Sequence, residues 1–263
     1  MRIVRTREGP CLFCLREDHA FDEEHLPPES IVGAAARVLV NWVCQRCNSR
    51  LSREDAYFAS HYHGALARSL QAVRGKKGRG AGVQRKDLEA KYDSATNTAR
   101  IRLKRELSTK AASLEFLRSG AGRVELECRT LDPRRLGRCL AKMGLETLVC
   151  HTPAVVLESR FDGIREYALA SGGLTFLPYA LGVSRDSPGV RLCEIQFEGE
   201  DRWVAVALIA LPLVSYAVQL SDFDDLHPLW HVAQFAGMIF DQDGARTRRV
   251  RLNLELRYMR SRS

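Results

Sequence analysis

The sequence predicts an α+β protein: a small cysteine-bounded amino-terminal unit, then a larger α+β section with antiparallel strands. Three observations lead there. Four of the eight cysteines fall in two C-x2-C pairs, Cys11/Cys14 and Cys44/Cys47. Past a basic, glycine-rich stretch, alternating apolar strand patterns recur between turn residues. Two stretches among them, 132–149 and 159–171, carry apolar residues at helical spacing instead. The 263 residues are 45% hydrophobic and 27% charged, an ordinary globular composition with length for more than one core.

In chain order, "RVLVNWV" (37–43) is a β-rich run leading into the second cysteine pair. From Gln45 there is no proline up to Val73 and no glycine before Gly64, so this stretch reads as helix, with Leu66, Leu70 and Val73 on one face. Residues 1–73 are thus the cysteine-bounded unit with its following helix. Residues 74–86, "RGKKGRGAGVQRK", hold four glycines, six basic residues and no acid. Such a segment buries no apolar area and reads as a linker. Residues 87–263 form the companion section, to which the sequence assigns no function. Its hairpins are expected in 90–106 and in 113–131, the second turning at Ser119 to Gly122. Asp132-Pro133 supplies a helix start, followed by Leu136, Leu140, Met143 and Leu148 on the buried side. Strands are expected in 174–181, 190–197, 202–211, 213–220 and 246–256. Trp203 to Leu220 carries no charge, but Pro212 interrupts it and valine is frequent, so it reads as two buried strands rather than a membrane span.

The net charge of +8 is unevenly placed. Residues 1–73 hold nine basic and nine acidic side chains, residues 111–244 twelve and eighteen. The excess lies in residues 74–110, with twelve basic and four acidic, and in 245–263, with seven and one. That distribution suits a polyanionic partner. Arg74, Lys76, Lys77, Arg79, Arg85 and Lys86 are the residues expected on a nucleic-acid backbone.

The start of the chain lacks the apolar run of a secretory signal, and a cytoplasmic protein is expected. In that setting two C-x2-C pairs separated by 29 residues read as metal ligands, since four thiolates suit tetrahedral Zn2+. The zinc would be structural, stapling a unit too small for a core of its own. The scattered Cys128, Cys139, Cys150 and Cys193 read as buried thiols without a site role.

Between the cysteine pairs stands "DEEHLPPES" (22–30), a histidine behind three carboxylates and just ahead of two prolines. Taken together, "CLFC…EEHLPPESIVGA…NWVCQRCN" resembles the zinc-stapled HNH endonucleases, the ββα-metal nucleases, over Cys11 to Asn48 and the following helix. The resemblance implies a small ββα-metal module that hydrolyses phosphodiester bonds. It implies His25 as the general base that deprotonates water, a role suited to a side chain able to be neutral near pH 7. It implies Glu24 and Asn48 as oxygen ligands of a catalytic divalent cation, Mg2+ or Mn2+. A one-residue change of strand register would present Glu23 in place of Glu24. Asn41 matches the residue that orients the loop bearing the base. Double-stranded DNA is the expected partner, although backbone charge does not separate DNA from RNA. The alternative is a zinc-stapled nucleic-acid-binding module without catalysis.

Overall fold

The computed structural model describes residues 2–6, 9–32, 36–60, 82–84, 88–93, 98–103, 121–127, 132–172, 174–182, 189–196, 203–211, 214–225, 228–229, 232, 239–240 and 251–257. Strand β2 (Phe21–Leu26) and strand β3 (Arg37–Cys44) pair antiparallel, and β1 (Arg2–Thr6) joins the far edge of β3 in parallel. The short helix α1 (Glu29–Val32) lies between β2 and β3. Helix α2 (Gln45–Ser60) begins directly after β3. The order β2, β3, α2 is therefore a ββ-hairpin followed by a helix, and the cysteine pairs sit at its two corners.

The hairpin is not regular. Its register shifts between Asp22, opposite Val43, and Glu23, opposite Val40. The extra residues on β3 are Asn41 and Trp42, and Asn41 takes a left-handed backbone with φ of 61°. Asparagine tolerates that conformation better than any branched residue. The bulge turns the Trp42 carbonyl toward the first cysteine pair, where it accepts the Leu12 N–H at 2.8 Å.

Two short sheets follow. Strands β4 (Gly82–Gln84), β5 (Leu88–Asp93) and β6 (Thr98–Leu103) form an antiparallel sheet in chain order, which contains the hairpin expected in 90–106. Gly82–Gln84, inside the stretch read as linker, is its edge strand; the six basic residues assigned to a nucleic-acid backbone lie outside the described residues. Strand β7 (Ala121–Glu127) pairs antiparallel with β13 (Arg251–Arg257) near the carboxyl end. Its register sets Arg123 opposite Glu255 and Glu127 opposite Arg251. The other arm of the hairpin expected in 113–131 lies outside the described residues.

Helix α3 (Pro133–His151) starts as the sequence predicts. Asp132 Oδ1 accepts the backbone N–H of Arg134 at 2.9 Å and of Arg135 at 3.3 Å, with proline in the first turn. A single-turn 3-10 helix (Ser159–Phe161) leads into α4 (Asp162–Leu169). The main sheet has the order β12-β8-β11-β10-β9, all antiparallel: β8 is Tyr179–Gly182, β9 Gly189–Gln196, β10 Trp203–Leu211, β11 Val214–Gln219 and β12 Ile239–Phe240. Strands β10 and β11 pair from Val206/Gln219 to Leu211/Val214, so the uncharged run holds two largely buried strands, and residues 212–213 between them lie outside the described residues. No helix among the described residues is long and apolar enough to cross a membrane.

Helix α3 is the centre of the molecule. From Leu136 to Val149 every residue but Arg138 is buried, because α2, α4 and the main sheet pack on it from different sides. Close approach to the sheet is permitted by Gly144, where a Cβ would meet Leu220 Cδ2 at 2.5 Å. One hydrophobic core runs from Cys11, Leu12 and Leu39 through Phe58 and Leu140 to Tyr216 and Leu220. Phe58 of α2 meets Tyr216 of β11 edge to face at 6.2 Å between ring centroids. The amino-terminal unit and the companion section thus bury apolar surface against each other.

Candidate metal centre and candidate active site

The first cysteine pair lies in a tight turn: Leu15 N–H donates to the Cys11 carbonyl at 3.0 Å and Cys11 N–H to the Arg16 carbonyl at 2.9 Å. The second pair straddles the junction of β3 with α2. The Sγ atoms of Cys11, Cys14, Cys44 and Cys47 all lie within 4.8 Å of one another, with 3.8 Å between those of Cys14 and Cys44. Sulfurs bound tetrahedrally at about 2.3 Å from zinc stand about 3.8 Å apart. The tetrad is therefore dimensioned to hold a structural metal ion such as zinc. The Cys44 N–H points at the Cys11 Sγ at 3.4 Å, a contact that favours a thiolate there. Among the thiols themselves, a hydrogen bond from Cys47 pulls Cys11 down to about 4, while burial pushes Cys14 up to about 11. Four adjacent sulfurs, three of them on buried residues, cannot all carry charge alone, and a dication resolves that conflict. The scattered cysteines take no part: Cys139 is buried, Cys150 and Cys193 are half-buried, and Cys128 lies outside the described residues.

The residues read as a catalytic set are on the same hairpin but do not all converge. Strand alternation turns Glu24 and Leu26 inward and leaves Glu23 exposed and His25 partly exposed. His25 Nε2 lies 3.9 Å from Glu29 Oε2, and Nδ1 is shielded from solvent with no partner among the described residues. Asn48, in the first turn of α2, faces the bulge: its Nδ2 donates to Asp22 Oδ2 at 3.1 Å and to the Glu23 carbonyl at 3.4 Å. The structure therefore brings Asn48 to Asp22 and not to Glu24. Asn41 stands in the bulge, where its backbone conformation is the feature it supplies.

Glu24 is 5% exposed and belongs to a buried charge cluster that the sequence did not reveal. The Lys142 ammonium, fully buried on α3, donates to Glu24 Oε1 at 2.8 Å and to Asp55 Oδ2 at 2.5 Å. Glu146 Oε1 lies 3.7 Å away from it, one helical turn along. Cys139 Sγ donates to Asp55 Oδ1 at 3.6 Å. Burial works against the charge on Lys142, but Asp55, Glu146 and Glu24 outweigh it and hold the ammonium well above its ordinary pKa. Burial pushes Glu146 well above the usual carboxylate range and raises Asp55 as well. One cation thus faces three carboxyl groups, and burial favours the neutral form of Glu146, which limits the negative charge of the cluster. A second buried cation reaches the first cysteine turn: Arg165 of α4 donates from Nε to the Leu12 carbonyl at 3.0 Å.

One signal for this cluster was present in the sequence. Between Cys139 and Val149 the only charged residues are Lys142 and Glu146, spaced as an i, i+4 pair that normally marks a solvated helix face. In this otherwise uncharged 11-residue run the same pair is fully buried. No protein-family model, no curated protein and no solved structure matches the chain.

Proposed function

We propose that the chain is an HNH-type endonuclease that hydrolyses phosphodiester bonds in DNA, with His25 as general base and one divalent cation at the scissile phosphate. The observation that carries this reading is the cysteine tetrad joining the turn ahead of β2 to the junction of β3 with α2, around a hairpin that bears His25. With Nδ1 shielded, Nε2 is the nitrogen that takes the proton from water. Because Lys142 engages Glu24, the cation would be held by the exposed carboxylate of Asp22 and by Oδ1 of Asn48, taking the place of the hydrogen bond that Asn48 Nδ2 donates to Asp22 Oδ2 at 3.1 Å. These hard oxygen donors suit Mg2+ or Mn2+. When bound, the cation supplies electrostatic stabilisation of the charge that builds on the phosphoryl oxygens. Backbone binding by the basic segments would make affinity fall steeply with salt.

Plasmid incubated with the purified protein and Mg2+ or Mn2+, against an EDTA control, tests the reading. Cleavage should require the cation, and His25→Ala should lose it while keeping zinc content and fold. Undiminished nicking by His25→Ala defeats the assignment. The second reading, a nucleic-acid-binding module without catalysis, is favoured by one observation, the engagement of Glu24 by Lys142. Binding without cleavage under both metals would select it.

A further inference from the structure

Strand β2 lies at the edge of its sheet, in the order β1-β3-β2, so N–H groups on its outer side have no neighbouring strand among the described residues. The N–H of His25 is taken instead by the side chain of Glu24, at 3.0 Å to Oε1. The same oxygen accepts from Lys142 at 2.8 Å. A carboxyl group so deeply buried is held in its place by the cation beside it. Lys142 arrives from α3, 118 residues further along the chain. The backbone of the histidine is therefore tied to the companion section through one shared carboxylate oxygen.

We infer that Lys142 is a positioning residue for His25: its ammonium fixes the Glu24 carboxylate, which holds the His25 backbone at the sheet edge. The inference rests on the reading of His25 as base. It makes the centre a property of both sections of the chain, assembled when the hairpin is seated on α3. Asp55 provides the internal control. It binds the same ammonium from α2 but has no bond to β2 among the described residues, so its loss weakens the cluster without releasing Glu24.

Four full-length proteins separate positioning from mere stability: wild type, Lys142→Met, Asp55→Asn, and Glu24→Gln combined with Lys142→Met. Amide hydrogen exchange of a peptide spanning His25, DNA affinity in EDTA, zinc content, Tm and kcat are measured for each below its Tm. Lys142→Met should speed exchange at His25 and lower kcat roughly 10- to 100-fold, the scale of a reacting group displaced by about 1 Å, with DNA affinity and zinc content unchanged. Asp55→Asn should lower Tm yet keep kcat at the wild-type level. The double variant removes the Glu24–Lys142 pair, leaving Asp55 and Glu146 as the buried carboxyl groups, and should regain part of the lost Tm without regaining kcat; where Lys142→Met alone fails to fold, this variant carries the test. Recovery of kcat together with Tm, or wild-type kcat in Lys142→Met, overturns the inference. Should the wild-type chain show no cleavage, the base reading falls, and the exchange measurement alone decides: unchanged protection at His25 removes the coupling too.

Discussion

Replacing Arg165 with methionine should loosen the first cysteine turn from a distance. The Arg165 side chain is 2% exposed. Its guanidinium donates to the Leu12 carbonyl at 3.0 Å, the Glu158 carbonyl at 3.1 Å, Asp162 Oδ1 at 2.5 Å and the Val156 carbonyl. The Glu158 carbonyl keeps a second donor, the N–H of Phe161. Those of Leu12 and Val156 lose a buried donor, each at about 1–3 kcal/mol. Methionine refills much of the aliphatic volume, so about 3 kcal/mol is the working figure, or a fall in Tm of roughly 6–12 °C for a domain of this size. Leu12 lies between Cys11 and Cys14, so chelator competition should also extract zinc from the variant at lower chelator concentration. Thermal unfolding and a colorimetric chelator titration read the two effects. A Tm change below about 2 °C with unaltered chelator competition would refute the reasoning, since water would then be replacing the guanidinium at both carbonyls.

Glu146→Gln should flatten the pH dependence of stability. The folded-state pKa of Glu146 is raised by burial, so the folded chain retains a proton that the unfolded chain releases. Its contribution is complete below the ordinary value of 4.5 and is lost as pH rises toward the folded pKa, at up to about 1.4 kcal/mol per pH unit; urea unfolding from pH 4 to 8 compares the two proteins. Asn41→Gly should stay near wild-type stability and Asn41→Val should lose about 1–2 kcal/mol, because only the former tolerates positive φ; equal losses would show that the amide group matters instead. Stripping the metal with a strong chelator should expose the 11–60 region to protease while leaving the chain intact beforehand, and unchanged digestion would mean that the four thiols need no ion.

Much of this architecture is written locally. The helix cap at Asp132 ahead of Pro133, the division of the uncharged run 203–220 into two strands, and the spacing of Cys11/Cys14 and Cys44/Cys47 each act over a few residues, and each was legible. The direction of Glu24 was not. Alternation says that Glu24 and His25 face opposite ways, but which one turns inward depends on the bulge at Asp22/Glu23 and on Lys142, 118 residues away. For the same reason Asp22 replaces Glu24 as the neighbour of Asn48. The pairing of β7 with β13 was hidden because nothing near Ala121 names a partner at Arg251.

Helix α3 bears on how such a protein can be re-engineered. Because its sides are occupied by α2, α4 and the main sheet, no seam is left along which the metal-bearing portion could be cut out and grafted onto another carrier. A transplant limited to the first 60 residues would present an apolar wound and two orphaned acids, Glu24 and Asp55, to water. The smallest portable piece must take the helix along, and with it the strands that keep the helix dry.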